Sequence, residues 1–187
     1  MEITVNRLSP AVGAMLGGVD LSGGPRDELM SEIHEAWLEN FVIVIPGQDL
    51  SGDDQIAFTE WFGPRQEVRT VKVVDAGPQN FMYVANKKFD GMESVLPEGE
   101  MQFHTDQCYY KTPSRATILF AIEIPAEGGN TKFANMYKAY EALPEPFKNS
   151  LSKAYAEQVY YAGSVTKDQP SDSLTGTRLH PLFISHE

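Results

Sequence analysis

Apolar and polar residues alternate along several short segments, a pattern that predicts β-strands. Ile3 and Val5 begin the first of these segments. Residues 41–45 are apolar throughout, which favours a strand buried on both faces. Residues 117–124 form a strong candidate because prolines bound them on both sides. Other predicted strands lie at 14–21, 81–85, 131–133 and 159–161, and from residue 182 onward.

A second period, of three to four residues, predicts helices in two regions, 26–62 and 134–155. Leu29, Ile33 and Trp37 recur four apart, so they form one apolar stripe. Ser51 and Asp54 have the spacing of a capping box that begins a helix. Pro144 divides the later region into two short helices.

Strands outnumber helices in this prediction, and the helices do not alternate regularly with them. The sequence therefore predicts a mainly β fold with flanking helices, of the α+β class. The chain has 187 residues, of which 42% are hydrophobic. That length suits a single domain, residues 1–187, with a core of its own.

Charge and composition exclude some classes of partner. The net charge of −11 argues against binding nucleic acid or an anionic membrane surface, both of which need clustered Lys and Arg. No apolar run approaches the length of a membrane span, and the first residues do not resemble a signal peptide. Cytoplasm is the expected location. Cys108 is the only cysteine, and a small, buried apolar role is expected for it rather than metal binding.

His104-Thr105-Asp106 is the most informative tripeptide in the chain. On an extended segment, side chains two residues apart point to the same side, so the imidazole and the carboxylate would lie on one face. Such a pair supplies two members of the 2-His-1-carboxylate triad of non-heme Fe(II) oxygenases. The alternative is a solvent-exposed His and Asp on a loop. His34, on the first helix, is expected to be a partly exposed helix histidine.

Motifs around the tripeptide resemble the taurine dioxygenase family of Fe(II)- and α-ketoglutarate-dependent dioxygenases, which includes the phenoxyalkanoate dioxygenases. The resemblance runs from about residue 8 to the last residue. The matching segments are Gly17-Gly18-Val19-Asp20-Leu21, Val44-Ile45-Pro46-Gly47-Gln48, Phe62-Gly63-Pro64, Phe103-His104-Thr105-Asp106, Thr112-Pro113, Pro125-Ala126-Glu127-Gly128-Gly129-Asn130-Thr131 and Leu179-His180-Pro181-Leu182.

The resemblance implies a double-stranded β-helix (jelly-roll) core with iron at its open end. It implies that His104 and Asp106 are two iron ligands, and that Thr131 binds a carboxylate of α-ketoglutarate. Fe(II), α-ketoglutarate and O₂ would then hydroxylate a small, anionic organic molecule and release succinate and CO₂. No catalytic residue beyond the metal site is implied, and a homo-oligomer is consistent with the family.

The sequence also departs from the family. The family's third iron ligand, a histidine, and the arginine that pairs with α-ketoglutarate lie beyond the segment matched by His180-Pro181, and the sequence stops at Glu187. We therefore expect a jelly roll that is truncated or incompletely covered at its C-terminal end. His180 is expected to be structural. The taurine enzyme's sulfonate-binding histidine has no counterpart, so the substrate-binding residues are unknown.

Three cationic side chains are candidates for pairing with an anionic substrate, although surface charge explains them equally well: Arg65, Arg69 and Lys72. Two other functions compete with the dioxygenase. One is a catalytically inactive family member that serves as a binding or oligomerisation module. The other, a cupin-type metal-binding jelly roll, would lack the Gly128-Gly129-Asn130-Thr131 element.

Overall fold

The computed structural model of the chain describes residues 3–65, 81, 84, 103–158 and 178–185. Helices and strands are both present in these residues, which confirms a mixed α and β architecture. In chain order the elements are β1 (Thr4–Arg7), β2 (Ala14–Gly17), α1 (Asp27–Asn40), β3 (Ile43–Val44), α2 (Gly52–Trp61), α3 (Met136–Glu141), α4 (Glu145–Leu151), β4 (Tyr155–Gln158) and β5 (Arg178–Pro181).

A three-stranded sheet forms from β1, β2 and β3, with β2 in the centre. β1 runs antiparallel to β2, and β3 runs parallel to it with Ala14 opposite Ile43. Ala14 and Leu16 are buried while Met15 between them is exposed. This alternation places one face of β2 against the core, as the period of a strand requires.

Helix α1 covers that buried face, and α2 packs beside it. Met30 and Ile33 of α1 are fully buried in one cluster with Leu16, and Phe58 of α2 joins them. Leu29 and Trp37, the other members of the predicted stripe, are partly buried and pack against this cluster, so the stripe is confirmed. Each large side chain removed from water in this way contributes about 1.5–3 kcal/mol to stability.

The capping box predicted at the start of α2 is also confirmed. The Ser51 hydroxyl accepts a hydrogen bond from the Asp54 N–H, and the Asp54 carboxylate accepts one from the Ser51 N–H. These bonds satisfy two backbone groups that a helix end leaves without partners. α2 therefore begins where the sequence predicts.

The residues described in 103–158 and 178–185 pack differently. α3 and α4 are short helices on either side of the loop at Pro144, as predicted. β4 pairs antiparallel with β5, with Ala156 opposite His180. None of the residues described in 103–158 and 178–185 is buried.

Several strand predictions are wrong. Of residues 41–45, only Ile43–Val44 form a strand, and among the described strands it lies at the edge of the sheet, with Val44 exposed. Residues 117–124 and 131–133 are not strands, because a strand needs a paired neighbour as well as an apolar pattern. The last strand, β5, precedes residue 182 rather than beginning there.

Other predictions lie outside the described residues. They concern the strand at 159–161 and most of the strand at 81–85. Within the described ranges, the helices are too short or too polar to cross a membrane.

Candidate metal centre

His104 and Asp106 lie side by side. His104 Nε2 is 3.1 Å from Asp106 Oδ1, and each side chain is about half exposed (50% and 48%). The backbone here is not part of a sheet, since a turn begins at Asp106. The two side chains nevertheless point the same way, as the spacing predicts.

The other oxygen of the carboxylate has its own partner. Thr117 Oγ1 donates a hydrogen bond of 2.9 Å to Asp106 Oδ2. Thr117 lies on the segment that was predicted to be a strand. The two carboxylate oxygens therefore have different partners: Oδ2 accepts from the Thr117 hydroxyl, and Oδ1 lies beside His104 Nε2.

The donor atoms suit a divalent metal ion. A first-row metal bonds imidazole nitrogen and carboxylate oxygen at about 2.0–2.2 Å, so two ligands at right angles lie about 3 Å apart. His104 Nε2 and Asp106 Oδ1 have that separation. In the absence of an ion, an Nε2–H can donate to Oδ1 at the same distance. Across the described residues, no group of three His, Cys, Asp or Glu side chains converges on a metal position.

Arg115 connects this segment to the helical layer. Its Nη1 donates to the Phe62 carbonyl oxygen (3.1 Å), and its Nη2 lies 3.3 Å from His34 Nε2. Because a guanidinium can only donate, His34 Nε2 must be the acceptor in this contact and carry no proton. The His34 ring also packs beside Trp37 and Trp61.

A turn follows the metal pair. Gln107 has a positive φ of 51°, and its carbonyl oxygen accepts from the Tyr110 N–H. His180 Nε2 lies 2.9 Å from the Tyr110 carbonyl oxygen, so here the ring nitrogen must donate. His180 thus joins β5 to the turn, which agrees with its expected structural role.

Cys108 lies in the same turn and is half-buried. Its thiol donates to Gln158 Oε1 over 3.2 Å. Burial, followed by the negative charge of Asp106, raises the pKa of the thiol. The thiol is thus directed to Gln158, and Cys108 does not form a group of three candidate metal ligands with the other described residues.

Comparison with known proteins identifies the family. Residues 4–187 match the family model described as taurine catabolism dioxygenase TauD, TfdA family. The chain belongs to this dioxygenase family. It is 32% identical over 169 residues to the alpha-ketoglutarate-dependent 2,4-dichlorophenoxyacetate dioxygenase of Cupriavidus pinatubonensis, covering 84% of this chain and 58% of that protein.

Two further similarities extend this result. The chain is 31% identical to the (S)-phenoxypropionate/alpha-ketoglutarate-dioxygenase of Delftia acidovorans, with 94% of this chain and 64% of that protein covered. A crystal structure of a taurine dioxygenase from Burkholderia xenovorans superposes with a TM-score of 0.73 at 24% identity, covering 96% of this chain and 58% of that one. The chain spans less than two thirds of the length of these relatives.

The position assigned to α-ketoglutarate through the TauD/TfdA resemblance, Thr131, is exposed. It follows a turn in which Gly128 and Gly129 have φ values of 79° and 65°, a conformation that favours glycine. Arg65 forms an ion pair with Glu60 at 2.8 Å, whereas Arg69 and Lys72 lie outside the described residues.

Sequence reasoning missed the contacts made by Thr117, Arg115 and His34. The alternation over 116–120 is a weak signal for Thr117, because Ile118 faces inward and Thr117 does not. Nothing in the sequence pairs His34 with a residue so far along the chain. Such contacts depend on the tertiary fold.

Proposed function

We propose that this protein is an α-ketoglutarate-dependent dioxygenase that hydroxylates a small, anionic organic substrate. The observation that carries the proposal is the convergence of His104 Nε2 and Asp106 Oδ1 at 3.1 Å, within the motif that the resemblance to the TauD/TfdA family assigns to iron. Fe(II) is the expected metal, with α-ketoglutarate and O₂ as cosubstrates.

The residues of this chain hold and orient the reactants. His104 and Asp106 would supply two ligands of the iron, and the Thr131 hydroxyl would donate a hydrogen bond to a carboxylate of α-ketoglutarate. With α-ketoglutarate and O₂, the bound iron supplies the oxidising chemistry that hydroxylates a C–H bond and yields succinate and CO₂. The Asp106 carboxylate would also neutralise part of the charge of a bound metal ion, which a second imidazole would not do.

The fold proposed for the complete site is the family's double-stranded β-helix. The described sheets are small, and their strands are short enough to need further partners for independent stability. A third protein ligand and an arginine for the distal carboxylate of α-ketoglutarate are required. We expect both to come from residues C-terminal to the matched segment at His180-Pro181.

An anionic substrate is proposed from the names of the relatives. Dichlorophenoxyacetate and phenoxypropionate, on which two of them act, are carboxylates at neutral pH. Because the net charge is −11, a cationic side chain beside the substrate would favour the binding of such an anion. A homo-oligomer and a cytoplasmic location stay predictions.

The proposal is tested by turnover and by spectroscopy. The protein is mixed anaerobically with Fe(II) and α-ketoglutarate, and the visible charge-transfer band of the chelate is recorded. Oxygen and a panel of aryloxyalkanoates and sulfate esters are then added, and succinate is measured. We expect the band and substrate-dependent succinate in the wild type, and neither in His104→Ala or Asp106→Ala.

A catalytically inactive binding module is the second candidate. The absence of a third converging ligand among the described residues favours it. Metal binding without a charge-transfer band or succinate would support that candidate and contradict the dioxygenase. Lys111→Ala, an exposed change on the same segment, serves as the control for both measurements.

A further inference from the structure

The hydrogen bond between Thr117 and Asp106 has a role that the metal pair alone does not explain. Asp106 is half exposed, and its carboxylate could rotate or bind through either oxygen. The Thr117 hydroxyl donates to Oδ2 over 2.9 Å, while Oδ1 faces His104 Nε2. One oxygen is thereby occupied and the other is left for a metal ion.

We propose that Thr117 is a positioning residue that fixes the Asp106 carboxylate for binding the metal through Oδ1. The proposal rests on the metal site of the proposed function and deepens it. Partners of this kind orient the ligands of metal sites and commonly change metal affinity tenfold to a hundredfold when removed. A hydroxyl serves here because it donates one proton and adds no charge.

A positioning residue must itself be held in place, and the chain around Thr117 provides for this. Two residues earlier, Arg115 donates to the Phe62 carbonyl oxygen and to His34 Nε2. One residue later, Ile118 packs against the core cluster. Thr117 is thus held between a polar anchor on the helical layer and an apolar anchor in the core.

The exposure of the pair makes the proposal testable without unfolding the protein. Thr117 is exposed, so replacing its hydroxyl by a methyl group in Thr117→Val leaves Asp106 Oδ2 in contact with water. Thr117→Ser keeps the hydroxyl and removes only the methyl group. The two variants therefore separate the hydrogen bond from the shape of the side chain.

The experiment measures Mn(II) affinity by the EPR signal of free Mn(II), using wild type, Thr117→Val, Thr117→Ser and Asp106→Ala. We expect Thr117→Val to lose about tenfold or more in affinity, with an unchanged thermal midpoint, and Thr117→Ser to bind nearly as wild type. A metal-free double-mutant cycle of Thr117→Val with Asp106→Asn should show coupling in the unfolding midpoint.

The outcomes distinguish this proposal from the proposed function. If Asp106→Ala weakens Mn(II) binding and Thr117→Val does not, Thr117 has no positioning role although the metal site stands. If the wild type does not bind Mn(II), or if Asp106→Ala binds as well as wild type, the metal site fails and the role of Thr117 fails with it. Equal losses in Thr117→Val and Thr117→Ser would also overturn the proposal, because the hydroxyl would then not be the cause.

Discussion

Residues 3–65 differ from the part that carries the metal pair, residues 103–158 and 178–185, in how far they bury apolar side chains. The buried cluster of the described chain lies entirely in the first part, around Leu16, Met30 and Ile33. In the second part Leu119 and Ile124 are 71% and 75% exposed. A well-packed layer therefore supports a site whose own segment is held mainly by individual hydrogen bonds.

That contrast explains where the site is vulnerable. A core resists local change because each side chain is held by many packing contacts. An exposed segment has few such contacts, so the loss of one hydrogen bond lets it move. His104 and Asp106 depend on a few contacts made by Thr117, Arg115 and His180. Substitutions in the two parts should accordingly affect different properties, stability in the first and metal binding in the second.

The largest expected effect is a difference in the free energy of unfolding between two matched truncations, one in each part. Ile33→Ala removes a side chain that is fully buried and should lower the free energy of unfolding by about 2–5 kcal/mol. Leu119→Ala removes a similar side chain at an exposed position and should change it by less than about 0.5 kcal/mol. Urea unfolding followed by circular dichroism compares the two. A Leu119→Ala loss as large as that of Ile33→Ala would show that the second part is packed in solution.

The next effect concerns the contact between the two parts. Arg115→Ala removes the donors to the Phe62 carbonyl oxygen and to His34. It should cost about 1 kcal/mol, the value of a typical hydrogen bond, because solvent at this exposed position weakens the contribution of the charge. Arg115→Lys should recover only part of this because one ammonium does not reproduce the planar fork of a guanidinium. Hydrogen exchange should increase near residues 115–118 before it increases in α1.

Lys111→Ala is the control for Arg115, since Lys111 is an exposed cation on the same segment. It should leave both the unfolding midpoint and the exchange rates unchanged. Equal effects of the two substitutions would mean that net charge, rather than the bonds of Arg115, explains the change.

Sequence reasoning predicted the first part better than the second. The stripe at Leu29, Ile33 and Trp37 and the capping box at Ser51 are local patterns, and both appear in the structure. The apolar run at 117–124 also has a strand pattern, yet it forms no strand because pairing depends on a distant neighbour. Local signals therefore fix helices and caps more reliably than sheets.

In the candidate site, too, the local features were predictable from the sequence and the long-range contacts were not. The convergence of His104 and Asp106 follows from their spacing of two residues, and it was predictable. The hydrogen bonds from Thr117 and Arg115 join residues that only the fold brings together, so no spacing rule indicates them. The role of Thr131 stays a prediction.

Helix caps offer a smaller comparison between the two parts. The Ser51 side chain caps α2, and the Asn135 side chain caps α3 by accepting from the Lys138 N–H. Ser51→Ala should cost about 1 kcal/mol. Asn135→Ala should cost at least as much, because Asn135 Nδ2 also donates to the Ala11 carbonyl oxygen and so joins the two parts. Thermal unfolding of both variants measures this, and a negligible effect of Asn135→Ala would contradict the bridging role.

The smallest expected effect is a dependence of stability on pH that originates in the first part. Hydrogen bonds from the Ser51 hydroxyl, and then from the Ser51 backbone N–H, lower the pKa of Asp54 below its ordinary value of 3.8. A carboxyl with a lowered pKa in the folded state stabilises the fold at pH values above its unfolded pKa, and this contribution is lost as the pH falls through the folded pKa.

The free energy of unfolding should therefore decrease below about pH 4. Asp54→Asn should reduce the slope of the unfolding free energy against pH in that range. Hydrogen bonds from Ser22 also lower the pKa of Asp20, so Asp20 should still contribute to the pH dependence of stability in Asp54→Asn. A slope unchanged by Asp54→Asn would place the acid sensitivity outside the capping box and weaken the distinction between the two parts.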